Sequence, residues 1–169
     1  ELDQDQKLIV TIPTADKIYA EKTFLKSYSS GIQELDELLS FNTLKGIAHG
    51  QVLEICGQSQ TGKTMLLYTI LITILREQET VEVVYFDTKN DFHAMLLANI
   101  MNARGYSKEM IISIFQRIHV RRIKNMSELL SQLKELTLSD NLGNVALKNI
   151  QLIAIDSITV PFYLISSRV

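Results

Sequence analysis

Short apolar runs rich in β-branched residues alternate with longer stretches of helical period along most of the chain. Residues 52–56 (VLEIC), 81–87 (VEVVYFD) and 150–155 (IQLIAI) predict buried strands. Residues 117–123 alternate instead, with Ile118 and Val120 against Arg117, His119 and Arg121, which predicts a strand with one solvated side. Between these runs, residues 65–76 are apolar on nearly every face, the mark of a helix packed on several sides. Residues 92–103 and 108–115 read as amphipathic helices. Asn125 opens another, with Glu128 three residues on as a capping-box-like start and Leu129, Leu130, Leu133 and Leu136 as its apolar stripe. Upstream, residues 32–39 read as a short helix with Leu35, Leu38 and Leu39 on one face and Asp36 and Glu37 outward. Residues 8–12 form a brief apolar run stopped by Pro13, and residues 140–148 read as a loop. Strands alternating with helices predict an α/β fold, a mainly parallel sheet with helices on both faces.

Composition narrows this little further. The 169 residues are 46% hydrophobic and 21% charged, enough for one domain with a real core and too apolar for a disordered chain. A single cysteine excludes a disulfide scaffold and fits a reducing compartment. The net charge of −2 excludes a chain-wide basic coat for nucleic acid. A local cluster, Arg117, Arg121, Arg122 and Lys124, leaves a DNA-phosphate contact open, but a solvated strand face is the favoured reading. No apolar run is long enough for a membrane span. His49, His93 and His119 lack metal-ligand spacing with Cys56 or each other and read as structural or surface residues. Cys56 reads as a small core residue, and Met65, Met95, Met101, Met110 and Met126 as core filler.

The chemistry concentrates at one loop. Gly57, Gln58, Ser59, Gln60, Thr61, Gly62, Lys63 and Thr64 spell G-x-x-x-x-G-K-[ST] in full, between a predicted strand and a predicted helix. The glycines let backbone N–H groups turn inward around phosphate oxygens, and the helix N-terminus adds positive charge. Lys63 then reaches the β/γ-phosphates and Thr64 offers a hydroxyl to Mg²⁺. The partner carboxylate belongs at the end of a neighbouring strand. Asp156, after LIAI, fits as the Walker B residue holding Mg²⁺ through water; Asp87, after VVYF, is the rival.

With these motifs in order, the chain resembles the RecA-like recombinases, specifically the eukaryotic recombinase paralogues of homologous recombination, over about residues 12–163. Residues 30–39 (SGIQELDELL) look like the family's lead-in helix, residues 85–88 (YFDT) like the strand before its catalytic glutamate, and residues 155–157 (IDS) like its Walker B end. Residues 158–162 (ITVPF) are similar to the segment that follows in the C-type paralogue. The resemblance implies a P-loop NTPase of RecA-like type, with residues 1–28 as a linker and residues 29–169 as an ATP-binding core truncated after the Walker B strand. It implies a nuclear protein that binds ATP and Mg²⁺, assembles with other recombinase-family subunits and meets single-stranded DNA through C-terminal loops that would lie beyond this chain. Ile12 and Ala15 stand where the family carries an oligomerisation tetrapeptide, with Ile12 in place of its aromatic anchor.

The family pattern also breaks. Lys89 stands at the position of the catalytic glutamate, and a charged lysine takes no proton from water. Its charge near the phosphates would instead stabilise bound nucleotide. Asp91, two residues on, substitutes only if the loop shifts. The family's adenine-stacking arginine corresponds to Leu96. The favoured reading is an ATP-binding recombination-mediator subunit, at most a weak DNA-dependent ATPase. An active P-loop ATPase or small-molecule kinase, and a pseudo-NTPase scaffold, are the alternatives.

Overall fold

In the computed structural model, residues 26–40, 44–139 and 150–166 are described. Their elements run β1 (Ser27–Tyr28), α1 (Gln33–Leu38), β2 (Ile47–Ala48), α2 (Lys63–Glu77), β3 (Glu82–Asp87), α3 (Ala94–Ala103), α4 (Lys108–Gln116), β4 (Ile118–Arg122), α5 (Met126–Ser139), β5 (Ile150–Asp156) and α6 (Thr159–Ser166). Strands β4, β3 and β5 form a parallel sheet in that order, with Val83 opposite Ile118 and Leu152. The two-residue period of β3 sorts its side chains between two cores. Val83 and Tyr85 pack with Leu71, Ile72 and Leu75 of α2, Leu97 and Met101 of α3 and Ile114 of α4. Val84 and Phe86 pack on the other side with Leu129 of α5, joined by Leu133 and Leu136. Helices thus cover both faces, as the alternation predicts.

The helices begin where local chemistry starts them. Ser107 caps α4 by accepting from Met110 N, and the His93 ring nitrogen caps α3 by accepting from Leu96 N. Before α5, Asn125 accepts from Glu128 N at 2.9 Å while Glu128 accepts from Lys124 N at 2.8 Å, the reciprocal pairing expected of a capping box shifted by one residue.

Several expectations fail, the first of them at the edges of the sheet. Residues 52–56 form no strand among the described residues: Val52 is 92% exposed and Cys56 is exposed, so the cysteine is not a core residue. A β-prone run needs a neighbour's backbone groups to make a ladder, and none of the described strands pairs with it. In β5, Ala154 and Asp156 are buried but Ile153 is 45% exposed, because β5 pairs with β3 alone among the described strands. Val120 on edge strand β4 is likewise exposed. Leu38 and Leu130 face solvent, leaving Leu35 and Leu39, and Leu129, Leu133 and Leu136, to carry their stripes. Helix α6 had no counterpart in the sequence reading; its Pro161 sits in the first turn, where the missing N–H costs no helical bond. Ile12, Ala15 and residues 140–148 lie outside the described residues.

A small unit packs against this frame. β1 and β2 pair antiparallel, and α1 lies between them in sequence. Asp36, expected to point outward, turns back instead: it accepts from Ser29 Oγ and from Ser30 N, each at 2.7 Å. Desolvation alone would raise its pKa, but the hydrogen bonds from Ser30 and Ser29 outweigh it and hold the carboxyl below the usual range. A depressed folded pKa gives stabilisation that is complete above the unfolded value of about 3.9 and lost as pH falls through the folded value. Asp36→Ala is therefore expected to cost about 1–2 kcal/mol at neutral pH, with the gap to wild type closing below about pH 4. Urea unfolding of both proteins at neutral and acid pH measures this.

Candidate functional site

The loop of residues 57–64 leads into α2, whose N-cap Gly62 has φ +90°, a left-handed conformation that glycine adopts without strain. Gly57 is tight for a second reason: a Cβ there would stand 3.0 Å from Thr61 Oγ1. Thr61 Oγ1 donates to Gln58 O at 2.8 Å and closes the turn. Lys63 Nζ arches over the loop and donates to Gly57 O at 2.9 Å and to Gln58 O. Gln58, Ser59, Gln60 and Thr61 are exposed, so the concave backbone is open to a ligand. Behind the loop, Tyr68 and every α2 residue from Ile70 through Leu75 are buried, which fixes the direction of its positive N-terminal end.

The strand ends meet this loop. Asp156, last in β5, accepts from Thr64 Oγ1 at 2.7 Å and from the Tyr85 hydroxyl at 3.0 Å, both on Oδ2. Its Oδ1 pairs with Lys89 Nζ at 2.9 Å. Burial alone would raise the Asp156 pKa; Thr64, Lys89 and Tyr85 together outweigh it and hold the carboxyl below its ordinary value. Lys89 is displaced upward in turn: desolvation opposes its charge, but Asp156 and then Asp91 overcome it. Asp91 Oδ2 lies 3.3 Å from the same ammonium. The structure thus brings Lys63, Thr64, Asp156, Lys89 and Asp91 to one place.

The turn that carries Lys89 is firmly set. Thr88 N donates to Asp156 O at 3.0 Å, Thr88 Oγ1 donates to Ser157 O at 2.7 Å, and Ser157 N donates back to Thr88 Oγ1 at 2.8 Å. Asp87, the rival carboxylate, is turned into the same loop, accepting from Asp91 N at 3.1 Å and Phe92 N at 3.0 Å. It acts as the cap of the turn. Asn90 completes the reversal with φ +56°.

Tyr85 and Thr88 belong to this site and were missed from sequence. Tyr85 stacks edge-on with Phe92 and tilted against Tyr68, and its hydroxyl is pushed far above the ordinary range by burial and then by the Asp156 charge. A tyrosine inside an apolar strand needs a partner for its hydroxyl, and that was the available signal.

Other candidates dissolve into structure. Leu96 is part of the α3 core contact. Arg117 is no solvated strand residue: its guanidinium donates to Leu75 O, Gln78 O, Val81 O and Ser113 O. Arg121 pairs with Gln132 and Glu135, whereas Arg122 and Lys124 are exposed. His119 pairs with Glu82 at 2.6 Å, and among the described residues no group of His, Cys, Asp and Glu could hold a metal ion. The Glu54 carboxylate, through a hydrogen bond and its charge, pushes the Cys56 thiol up, away from nucleophilic use.

A magnesium ion would need an oxygen of Asp156 free to face it. Oδ2 accepts from two hydroxyls and Oδ1 faces an ammonium, so an ion held through Asp156, directly or by a water, would sit against the Lys89 charge, and these residues do not fit one while Lys89 keeps its place.

Comparison with known proteins agrees with the geometry. The family described as "ATPase: KaiC" matches residues 28–168. The chain is 27% identical over 140 residues to the DNA repair and recombination protein RadB of Pyrococcus abyssi, covering 83% of this chain and 53% of RadB. It is 32% identical over 88 residues to Probable DNA repair protein RAD51 homolog 4 of Dictyostelium discoideum, covering 52% and 24%. It is 30% identical over 112 residues to DNA repair protein Rad51 homolog of Drosophila melanogaster, covering 63% and 32%. The chain therefore spans about half the length of RadB and about a quarter to a third of the other two. A phosphate loop opening α2, a parallel sheet clad on both faces and a family match along nearly the whole sequence lead to one conclusion: the chain belongs to the KaiC-type ATPase family, with a RecA-like P-loop fold.

Proposed function

We infer that this chain is the ATP-binding part of a recombination-mediator subunit, acting in DNA repair by homologous recombination beside other recombinase-family subunits. The observation that carries the reading is the complete loop of residues 57–64 joined to the strand-end carboxylate by the Thr64–Asp156 hydrogen bond, in a chain related to recombination proteins. Nucleotide phosphates would lie in the backbone cradle, with Lys63 swinging from Gly57 O and Gln58 O onto them. The base gains no guanidinium contact from Leu96. Hydrolysis by this chain alone is slow in this reading, because Lys89 fills the position after Thr88 and Asp91 is engaged with it. Nucleotide then works as a ligand that orders an interface rather than as fuel. Within the family, residues 155–162 favour the C-type paralogue, and Ile12 with Ala15 are the proposed docking residues for a neighbouring subunit. Single-stranded DNA and a nuclear location follow from the same reading.

Equilibrium binding of a fluorescent ATP analogue to the full-length protein tests it. Lys63→Ala is expected to weaken binding at least tenfold, about 1.4 kcal/mol. Single-turnover hydrolysis is expected to stay far below the ordinary enzymatic range of about 1–10³ s⁻¹, with or without single-stranded DNA. Fast turnover abolished by Lys63→Ala would establish an active ATPase instead, and absence of nucleotide binding would establish a scaffold.

A further inference from the structure

We propose that Lys89 supplies, from within the chain, the positive charge that a divalent metal brings to the Asp156 carboxylate, so that a nucleoside triphosphate binds residues 57–64 with little dependence on magnesium. The inference rests on the nucleotide-binding reading above and specifies the charge balance of that site.

Three observations lead there. The first is occupancy: Asp156 is buried, and its oxygens face Thr64 and Tyr85 on Oδ2 and the Lys89 ammonium on Oδ1, so an ion reaching Oδ1 meets a positive charge already in place. The second is fixation. Lys89 does not reach Asp156 from a loose loop. Its neighbour Thr88 is hydrogen-bonded to both Asp156 and Ser157, and Asp87 caps the turn on its other side. The backbone that carries Lys89 is therefore already held, which removes part of the usual entropy cost of an ion pair. The third is the local charge. A divalent ion arriving at Asp156 would have to displace Lys89 and then share the site with it, like charge beside like charge, where low exposure weakens screening. Asp91 does not relieve this: it pairs with Lys89 from the outer side, with its own side chain 55% exposed. Lys63 thus holds one ammonium on the loop and Lys89 a second on the strand-end carboxylate that Thr64 also contacts. Lys89 in this place offsets the Asp156 charge, which is the part of a metal's role assigned to it.

The test measures the affinity of the full-length protein for a fluorescent ATP analogue in excess Mg²⁺ and in excess EDTA. Wild type is expected to bind with affinities within about threefold in the two buffers. Lys89→Gln, which keeps the side-chain length and removes the charge, is expected to bind at least tenfold more weakly in EDTA than in Mg²⁺. Titration of Mn²⁺ into nucleotide-free protein, read by electron paramagnetic resonance, should show stronger binding to Lys89→Gln than to wild type. Urea midpoints for both proteins separate a folding defect from a charge effect, and if Lys89→Gln fails to fold, Lys89→Met replaces it in the same comparison. A wild type that loses tenfold or more in EDTA overturns the proposal, as does a Lys89 variant with an unchanged Mg²⁺ to EDTA ratio. The two readings fail differently. Binding that requires both Lys63 and Mg²⁺ sinks only this inference; no binding in either buffer, or binding indifferent to Lys63→Ala, sinks the nucleotide site as well.

Discussion

Arg117→Ala is expected to lower the unfolding free energy by about 3 kcal/mol, with the urea midpoint falling and the m-value unchanged. One guanidinium serves the C-terminal ends of two helices. NH2 donates to Leu75 O at 2.6 Å and NH1 to Gln78 O at 2.7 Å, both at the end of α2, and NH1 also reaches Val81 O at 3.3 Å. Nε donates to Ser113 O at 3.2 Å in the last turns of α4. Carbonyls at helix ends have no partner within the helix, and the macrodipole makes them good acceptors for a cation. Hydrogen bonds to charged groups contribute about 1.5–3 kcal/mol each, but four bonds to one group are not additive, so the smaller total is the fair expectation. Arg117→Lys is expected to recover less than half, because a single ammonium cannot span acceptors that a planar fork reaches together. A loss under 1 kcal/mol in the alanine variant would show that water replaces the guanidinium without difficulty.

Gly31→Ala is expected to cost a similar amount, about 3 kcal/mol, by a different route. Gly31 has φ +81°, where a Cβ costs about 1–2 kcal/mol. That Cβ would also stand 2.4 Å from Thr73 Oγ1 and 3.2 Å from Thr73 Cβ, in the buried middle of α2. Overpacking of this kind costs about 1–3 kcal/mol. Thr73 is poorly placed to yield, since its hydroxyl donates to Thr69 O at 2.9 Å and accepts from Arg104 at 3.4 Å. The double variant Gly31→Ala with Thr73→Ala separates the two terms: the 2.4 Å contact with Oγ1 disappears, while the tight contact with the residue-73 Cβ and the backbone strain of about 1–2 kcal/mol stay. Urea unfolding of the four proteins in the cycle reads the coupling, and additive effects would contradict the contact.

The fold class and the location of the site were legible because they rest on strong local patterns. The run VVYFD and the stripe of residues 129–136 specify which faces are buried without reference to any partner. The loop of residues 57–64 announces itself by its glycines and Lys63. What was not legible depends on neighbours. No period distinguishes VLEIC, which is unpaired among the described residues, from VEVVYFD, which pairs on both sides. Arg117 looks like one more charge on a solvated face until the α2 carbonyls are seen beside it. Lys89 was recognisable as a departure from the resembled pattern, but its partner could not be chosen: Asp91 is nearer in sequence, while Asp156 makes the shorter contact at 2.9 Å.

The stretch before the loop of residues 57–64, unpaired among the described residues, gives that loop two very different footings. On its far side α2 is buried over most of its C-terminal half, while on its near side residues 52–56 touch the core of the described residues through Leu53 and Ile55 alone. No described strand forms a ladder with the backbone amides there, so their exchange with solvent is expected to follow small local openings, whereas β3, bonded on both edges, opens with the sheet. The loop is in effect a door hung on one post. A phosphate gripped by Gly57 and Lys63 would tie the loose side to the rigid one, and the protection it gained would run backward along the chain into residues 52–56.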